Sequence, residues 1–131
     1  MYSMKQACQK TGLTYDTLKF YCNEGLVPNV KRAANNYRIF DDDDLAWINS
    51  LSCLKNCGMS IQEMKDFLEL CLAGESTIPK RMEILNDKLV AIQSEIKRLR
   101  GSIDYIKRKQ TFYQNVLDGK EPYRSNLKIA K

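Results

Sequence analysis

Ser3-Met4-Lys5-Gln6-Ala7-Cys8-Gln9-Lys10-Thr11-Gly12, followed at once by Leu13-Thr14-Tyr15-Asp16-Thr17-Leu18-Lys19-Phe20-Tyr21, is the stretch that decides the fold. Ser3 with Gln6 three residues on reads as a capping box, so a helix starts there and Gly12 stops it. Thr14 caps a second helix that ends by Gly25. Two short helices joined by so tight a turn enclose little core alone. Their common use is to place the second helix in the major groove of DNA. Lys31-Arg32 and Asn35-Asn36-Tyr37-Arg38 come next, an Asn-rich turn between basic strands. That pattern reads as a wing reaching for phosphate.

Working outward, Asp41-Asp42-Asp43-Asp44 supplies a cap and first-turn carboxylates for a third helix. A strong cap is a better reading of these acids than a metal site, because adjacent carboxylates at a helix start diverge. The helix runs through Leu45, Ile48, Leu51 and Leu54 to Gly58, with Trp47 expected against the first two helices. Ser60-Ile61-Gln62-Glu63 is a second capping box, with Met59 and Met64 placed as its hydrophobic staple, and its helix breaks at Gly74. Beyond Pro79 the periodicity changes. Met82, Leu85, Leu89, Ile92, Ile96, Leu99, Ile103, Ile106, Gln110, Tyr113 and Leu117 recur in steps of three and four. A narrow heptad stripe on a lone helix demands a partner, and a second copy of the chain is the economical one.

The fold class expected is therefore mainly α. A winged helix-turn-helix head with a small β-wing is followed by a long dimerising coiled-coil helix. The layout places a DNA-binding domain at 1–73, with helix-turn-helix 3–25, wing 27–40 and helices 41–57 and 60–73. A linker at 74–78, a dimerisation helix at 79–118 and a flexible tail at 119–131 complete it.

Charge follows this division. The net charge is +4 over residues 1–40 (six Lys/Arg against two Asp/Glu), −6 over 41–78 (two against eight) and +7 over 79–131 (thirteen against six). A basic head favours phosphate. The five cysteines are odd in number and lie in helical patterns, and no signal peptide precedes the first helix, so reduced thiols in a cytosol are expected. No apolar run is long enough for a membrane span. Histidine is absent, no Gly-rich phosphate loop is present, and no Cys or His follows Cys71. No enzyme activity, cofactor or metal site is expected.

With these residues in view, the order of parts resembles the MerR family of bacterial transcription regulators over Ser3 to about Leu117. Lys19-Phe20-Tyr21-Cys22 stands where the family has Arg-Tyr-Tyr-Glu, and Asn36 where the wing glycine is usual. Asn tolerates the left-handed turn that Gly would take. The resemblance implies a homodimer on promoter DNA, working with RNA polymerase on the nucleoid. There it would bend and untwist an overlong spacer. It implies DNA contacts from Ser3, Met4, Thr14, Tyr15, Asp16, Thr17, Lys19, Phe20 and Tyr21, and from Asn36, Tyr37 and Arg38 in the wing. For Phe20, core packing is an equal reading. Lys19, Tyr21, Tyr37 and Arg38 are expected on phosphates.

Leu51-Ser52-Cys53-Leu54-Lys55-Asn56 and Gly58-Met59-Ser60 look like the branch responsive to aldehydes and nitrosative stress. That branch places a cysteine at Cys53, which makes it the expected sensor thiol; the competing reading is a small buried apolar residue. Cys8 and Cys22 are read as bystanders and Cys71 as packed under the long helix. Two alternatives stand beside a thiol-triggered regulator. One is a regulator sensing a non-covalent ligand. The other is an architectural or recombination-accessory protein that bends DNA and senses nothing.

Overall fold

The computed structural model describes residues 1–127. It forms two units, Met1–Leu89 and a second beginning at Val90. The first opens with β1 (Tyr2–Ser3), α1 (Met4–Thr11) and α2 (Tyr15–Asn23). The hairpin strands β2 (Lys31–Arg32) and β3 (Arg38–Phe40) follow, then α3 (Asp42–Asn56) and α4 (Ile61–Ala73). A 3-10 turn at Glu75–Thr77 leads into α5 (Ile78–Leu117), which passes into the second unit.

Each helix of the head starts where its cap chemistry sets it. Ser3 Oγ accepts from the Gln6 N–H at 3.2 Å while Gln6 Oε1 accepts from the Ser3 N–H at 2.9 Å. Asp41 and Asp44 reciprocate at 2.8 and 2.9 Å, and Ser60 and Glu63 both at 3.1 Å. Each box satisfies two backbone donors that would otherwise have no partner. Asp44 is only 4% exposed, and burial pushes its carboxyl above the usual range. The Asp44 backbone N–H holds the Asp41 carboxyl below it.

The core gathers Leu18 and Tyr21 from α2, Leu26 and Val27 from the loop after it, Phe40 from β3, Ile48 and Leu51 from α3, and Met64 and Phe67 from α4. Trp47 is half-buried, and its Nε1 donates to the Leu26 carbonyl at 2.6 Å, tying α3 to the turn that ends α2. Lys65 Nζ meets Glu24 Oε2 at 2.7 Å, holding the end of α2 to α4.

Three features add detail that the sequence reading did not carry. The wing is a three-stranded sheet in the order β1-β3-β2, because Tyr2 and Ser3 pair antiparallel with Phe40 and Ile39. A two-residue strand carries no alternation, so nothing in the pattern announced it. Residues 74–78, read as a linker, carry hydrogen bonds of their own. Thr77 Oγ1 donates to the carbonyls of Leu70 and Gly74 at 2.5 and 2.8 Å, and Arg81 Nη2 donates to the Gly74 carbonyl at 2.8 Å. These donors serve the open carbonyls at the end of α4. The half-buried Cys71 lies beside this cap, its Sγ 3.9 Å from Arg81 Nη1.

In the second unit the tail turns back after α5. The N–H groups of Lys120 and Glu121 donate to the Asn115 carbonyl at 2.8 and 3.3 Å, and the Arg124 guanidinium lies 5.4 Å from the Phe112 ring centre. The segment expected to be a flexible tail makes these contacts as far as Arg124, and its residues 128–131 lie outside the described residues. Along α5 every apolar position of the heptad stripe, from Met82 to Leu117, is exposed.

Candidate nucleic-acid interface

The first turn of α1, the start of α2 and the wing meet around one cleft of 470 Å³. It is lined by Ser3, Met4, Lys5, Tyr15, Arg32, Asn36, Tyr37 and Arg38. Six of these eight stand in the contact set read from the sequence; Lys5 and Arg32 do not. Lys5 carried a signal: a cation in a helix's first turn opposes the helix dipole and needs another reason to be there. Arg32 was legible as part of the basic hairpin but not as a lining residue.

The phase of α2 decides which of its residues face outward. Leu18 and Tyr21 point into the core, Tyr21 being 2% exposed. Tyr15, Asp16, Lys19 and Phe20 are exposed, Phe20 at 45%. This corrects the reading of Tyr21 as a phosphate contact. At 3.6 residues per turn, Leu18 and Tyr21 share a face, so a helix that buries one buries the other. Burial also pushes the Tyr21 phenol above its usual pKa. Phe20 takes the outward place instead.

Thr14 is committed to capping. Its Oγ1 accepts from the Thr17 N–H at 3.2 Å and donates to Thr17 Oγ1 at 2.9 Å. The half-buried Thr17 and exposed Thr14 thus form one hydroxyl pair at the helix start, where groove-reading residues belong.

The wing is a three-residue hairpin loop. The Asn36 N–H donates to the Ala33 carbonyl and the Ala33 N–H to the Tyr37 carbonyl, both at 2.8 Å. Asn36 has φ +67°, the left-handed region that closes such a loop. Asn35 Oδ1 accepts from the Tyr37 N–H at 3.1 Å, and Arg32 Nη1 donates to the Asn36 carbonyl at 2.8 Å. Tyr37 stands 73% exposed at the tip. Asn36→Val is expected to cost about 1–2 kcal/mol, since a β-branched residue resists a positive φ. Asn36→Gly is expected to unfold within about 1 kcal/mol of wild type. Urea titration of the two variants checks this, and equal midpoints would contradict the assigned loop geometry.

The cations of the head divide into held and unheld groups. Lys10 Nζ sits 5.1 Å over the Tyr2 ring, whose hydroxyl donates to Asp42 Oδ1 at 2.7 Å. Lys31 lies 3.8 Å from Asp41. Lys5 and Lys19 are exposed and form no ion pair among the described residues. Beneath the wing, burial pushes the Cys22 thiol up, with Arg38 and Arg32 opposing that shift in part.

Cys53 is exposed on α3 between the buried Leu51 and Leu54. The reading of it as a small buried apolar residue therefore does not hold, and the thiol is open to reagents. Cys57, one turn on, is partly buried. Among the described residues no cluster of three or more metal-ligating side chains is found, and no helix is long and apolar enough to cross a membrane.

Residues 2–71 match the model of the MerR HTH family of regulatory proteins. The chain belongs to the MerR family. It is 38% identical over 113 residues to an HTH-type transcriptional regulator of Haemophilus influenzae, covering 86% of this chain and 84% of that one. It is 35% identical over 86 residues to the HTH-type transcriptional regulator AdhR of Bacillus subtilis, covering 66% and 61%. Among solved structures it resembles HiNmlR, a MerR family regulator lacking the sensor domain, bound to promoter DNA. There the TM-score is 0.75 and the identity 37%, over 89% of this chain and 93% of that one. A MerR family regulator from Bacillus thuringiensis superposes with a TM-score of 0.71 at 28% identity, over 86% and 98%. As a member of this MerR family, and within its AdhR/NmlR-like branch, the chain is a DNA-binding transcriptional regulator and not an enzyme.

Proposed function

We propose that the chain acts as a homodimer that grips promoter DNA at two half-sites and distorts the spacer between them for RNA polymerase. It does so on the nucleoid of the bacterial cytoplasm. The observation that carries this reading is the seam of α5, whose apolar side chains from Met82 to Leu117 are exposed among the described residues. Each Leu or Ile covered by a partner contributes about 1.5–3 kcal/mol at full burial. A two-fold dimer then presents two identical clefts to a pseudo-palindromic operator.

Within each head, Lys5, Lys19 and the wing's Tyr37 and Arg38 grip phosphates. Ser3, Met4, Thr14, Tyr15, Asp16, Thr17, Phe20 and Asn36 complete the contact surface, from which Tyr21 is withdrawn. Bending and untwisting costs deformation energy, which grips at both ends offset.

The trigger is modification of the Cys53 thiolate by an electrophile such as an aldehyde, or by an oxidant. Exposure of Cys53 on α3 and the likeness to AdhR support it. In a reporter strain carrying the target promoter, Cys53→Ser is expected to abolish induction by aldehyde while leaving DNA affinity within about twofold. Intact-mass measurement after aldehyde treatment is expected to place the first adduct on Cys53. A Cys53→Ser protein that induces normally rules this trigger out. A footprint spread evenly over unrelated sequences would instead favour an architectural role.

A further inference from the structure

Arg38 begins β3, and its Nη2 donates to Asn23 Oδ1 at 2.6 Å. Asn23 is the last residue of α2 and lies on the exposed surface. This bond joins the wing to the far end of α2, across 15 positions of sequence. Arg38 also lines the cleft between helix and wing, so the group held by Asn23 is one that faces the proposed phosphate track. The companion arginine is treated alike, with Arg32 Nη1 held by the neutral carbonyl of Asn36.

Both wing guanidinium groups are thus fixed by uncharged acceptors. That choice has a chemical consequence. A carboxylate at position 23 would hold Arg38 more firmly but neutralise it before any phosphate arrived. An amide oxygen restricts the side chain while leaving its full charge and its remaining N–H donors for a second acceptor. An arginine already restrained loses less freedom on binding, so more of its interaction with phosphate appears as affinity.

We infer that Asn23 is a positioning residue for DNA binding: it presents the Arg38 guanidinium, restrained but unneutralised, to a backbone phosphate beside the wing. The inference rests on the reading of the wing as a phosphate contact.

The test uses the full chain and a fluorescein-labelled 40-base-pair duplex enriched by the wild-type protein from a randomised pool. Fluorescence anisotropy over a series of salt concentrations gives affinity and its salt slope. Arg38→Ala is expected to weaken binding and reduce the slope of log K against log salt by about two, one phosphate for each copy in the dimer. Asn23→Ala is expected to weaken binding about fivefold with the slope unchanged, because the charge stays but its restraint is lost. Asn23→Asp is expected to restore the restraint yet reduce the slope as Arg38→Ala does, a signature that a merely structural role for Asn23 would not produce. Adding Asn23→Ala to Arg38→Ala is expected to change nothing further.

Asn23→Ala binding like wild type overturns the inference, as do additive effects in the double variant or an unchanged slope for Asn23→Asp. Arg38→Ala binding like wild type removes the wing contact itself and the inference with it. Coincident thermal midpoints confirm that each variant is folded.

Discussion

Leu99→Glu in α5 is expected to convert the protein from a dimer to a monomer at micromolar concentration. Leu99 is in the middle of the exposed seam, with Ile92 and Ile96 before it and Ile103 and Ile106 after it. A dimer carries the substitution twice. Each copy loses about 2 kcal/mol of apolar burial and sets a carboxylate in an apolar contact, where it must ionise at a penalty or bind a proton. A combined loss of about 4–6 kcal/mol raises the dimer dissociation constant about a thousandfold or more. Ser94→Glu, on the opposite side of the same helix, is the control and is expected to leave assembly unchanged. Sedimentation equilibrium distinguishes the two. A Leu99→Glu protein that remains a dimer at wild-type concentrations would show that the seam serves another purpose.

The neighbouring aromatics of α2 give the second large effect. Tyr21 belongs to the buried core that also holds Ala7, Phe40 and Ile48, whereas Phe20 stands outside it. Tyr21→Ala is expected to cost about 3–5 kcal/mol of stability, the usual result of deleting a buried aromatic ring. In a head of this size that is a large part of the whole margin. Phe20→Ala is expected to change stability by less than about 1 kcal/mol while weakening binding to the selected duplex. Urea unfolding and anisotropy together check the pair. The reverse pattern, with Phe20→Ala the destabilising change, would mean that α2 is rotated by about 100° from the phase described.

Helix starts were legible in the sequence because their chemistry is local. Ser3 with Gln6 and Ser60 with Glu63 are pairs three residues apart whose partners are each other. The seam of α5 was legible because its period persists far longer than chance arrangement allows. Tyr21 was misread because one helical turn offers too few positions to fix a phase, and the aromatic run Phe20-Tyr21 offers a core candidate at either place. β1 and the brace from Arg81 to Gly74 were hidden for a different reason. Both join groups whose meeting depends on the assembled head, and no spacing rule connects Tyr2 with Phe40. Asn23 belongs with these, since its partner Arg38 is reached only after the wing has folded back.

The site shows the same division. Cap residues and the basic turn advertised a nucleic-acid surface, but Lys5 and Arg32 join it only through the geometry of the cleft. Cys53 was legible as a cysteine of interest, while its exposure depends on which face of α3 the core claims through Leu51 and Leu54.

The most direct measurement of the central claim is the stoichiometry and salt dependence of the complex with a selected promoter duplex, read by sedimentation of labelled DNA. Two copies of the chain per duplex are predicted, binding as one dimer, with affinity falling steeply as salt rises. A single copy bound per duplex, or an affinity indifferent to salt, would contradict it.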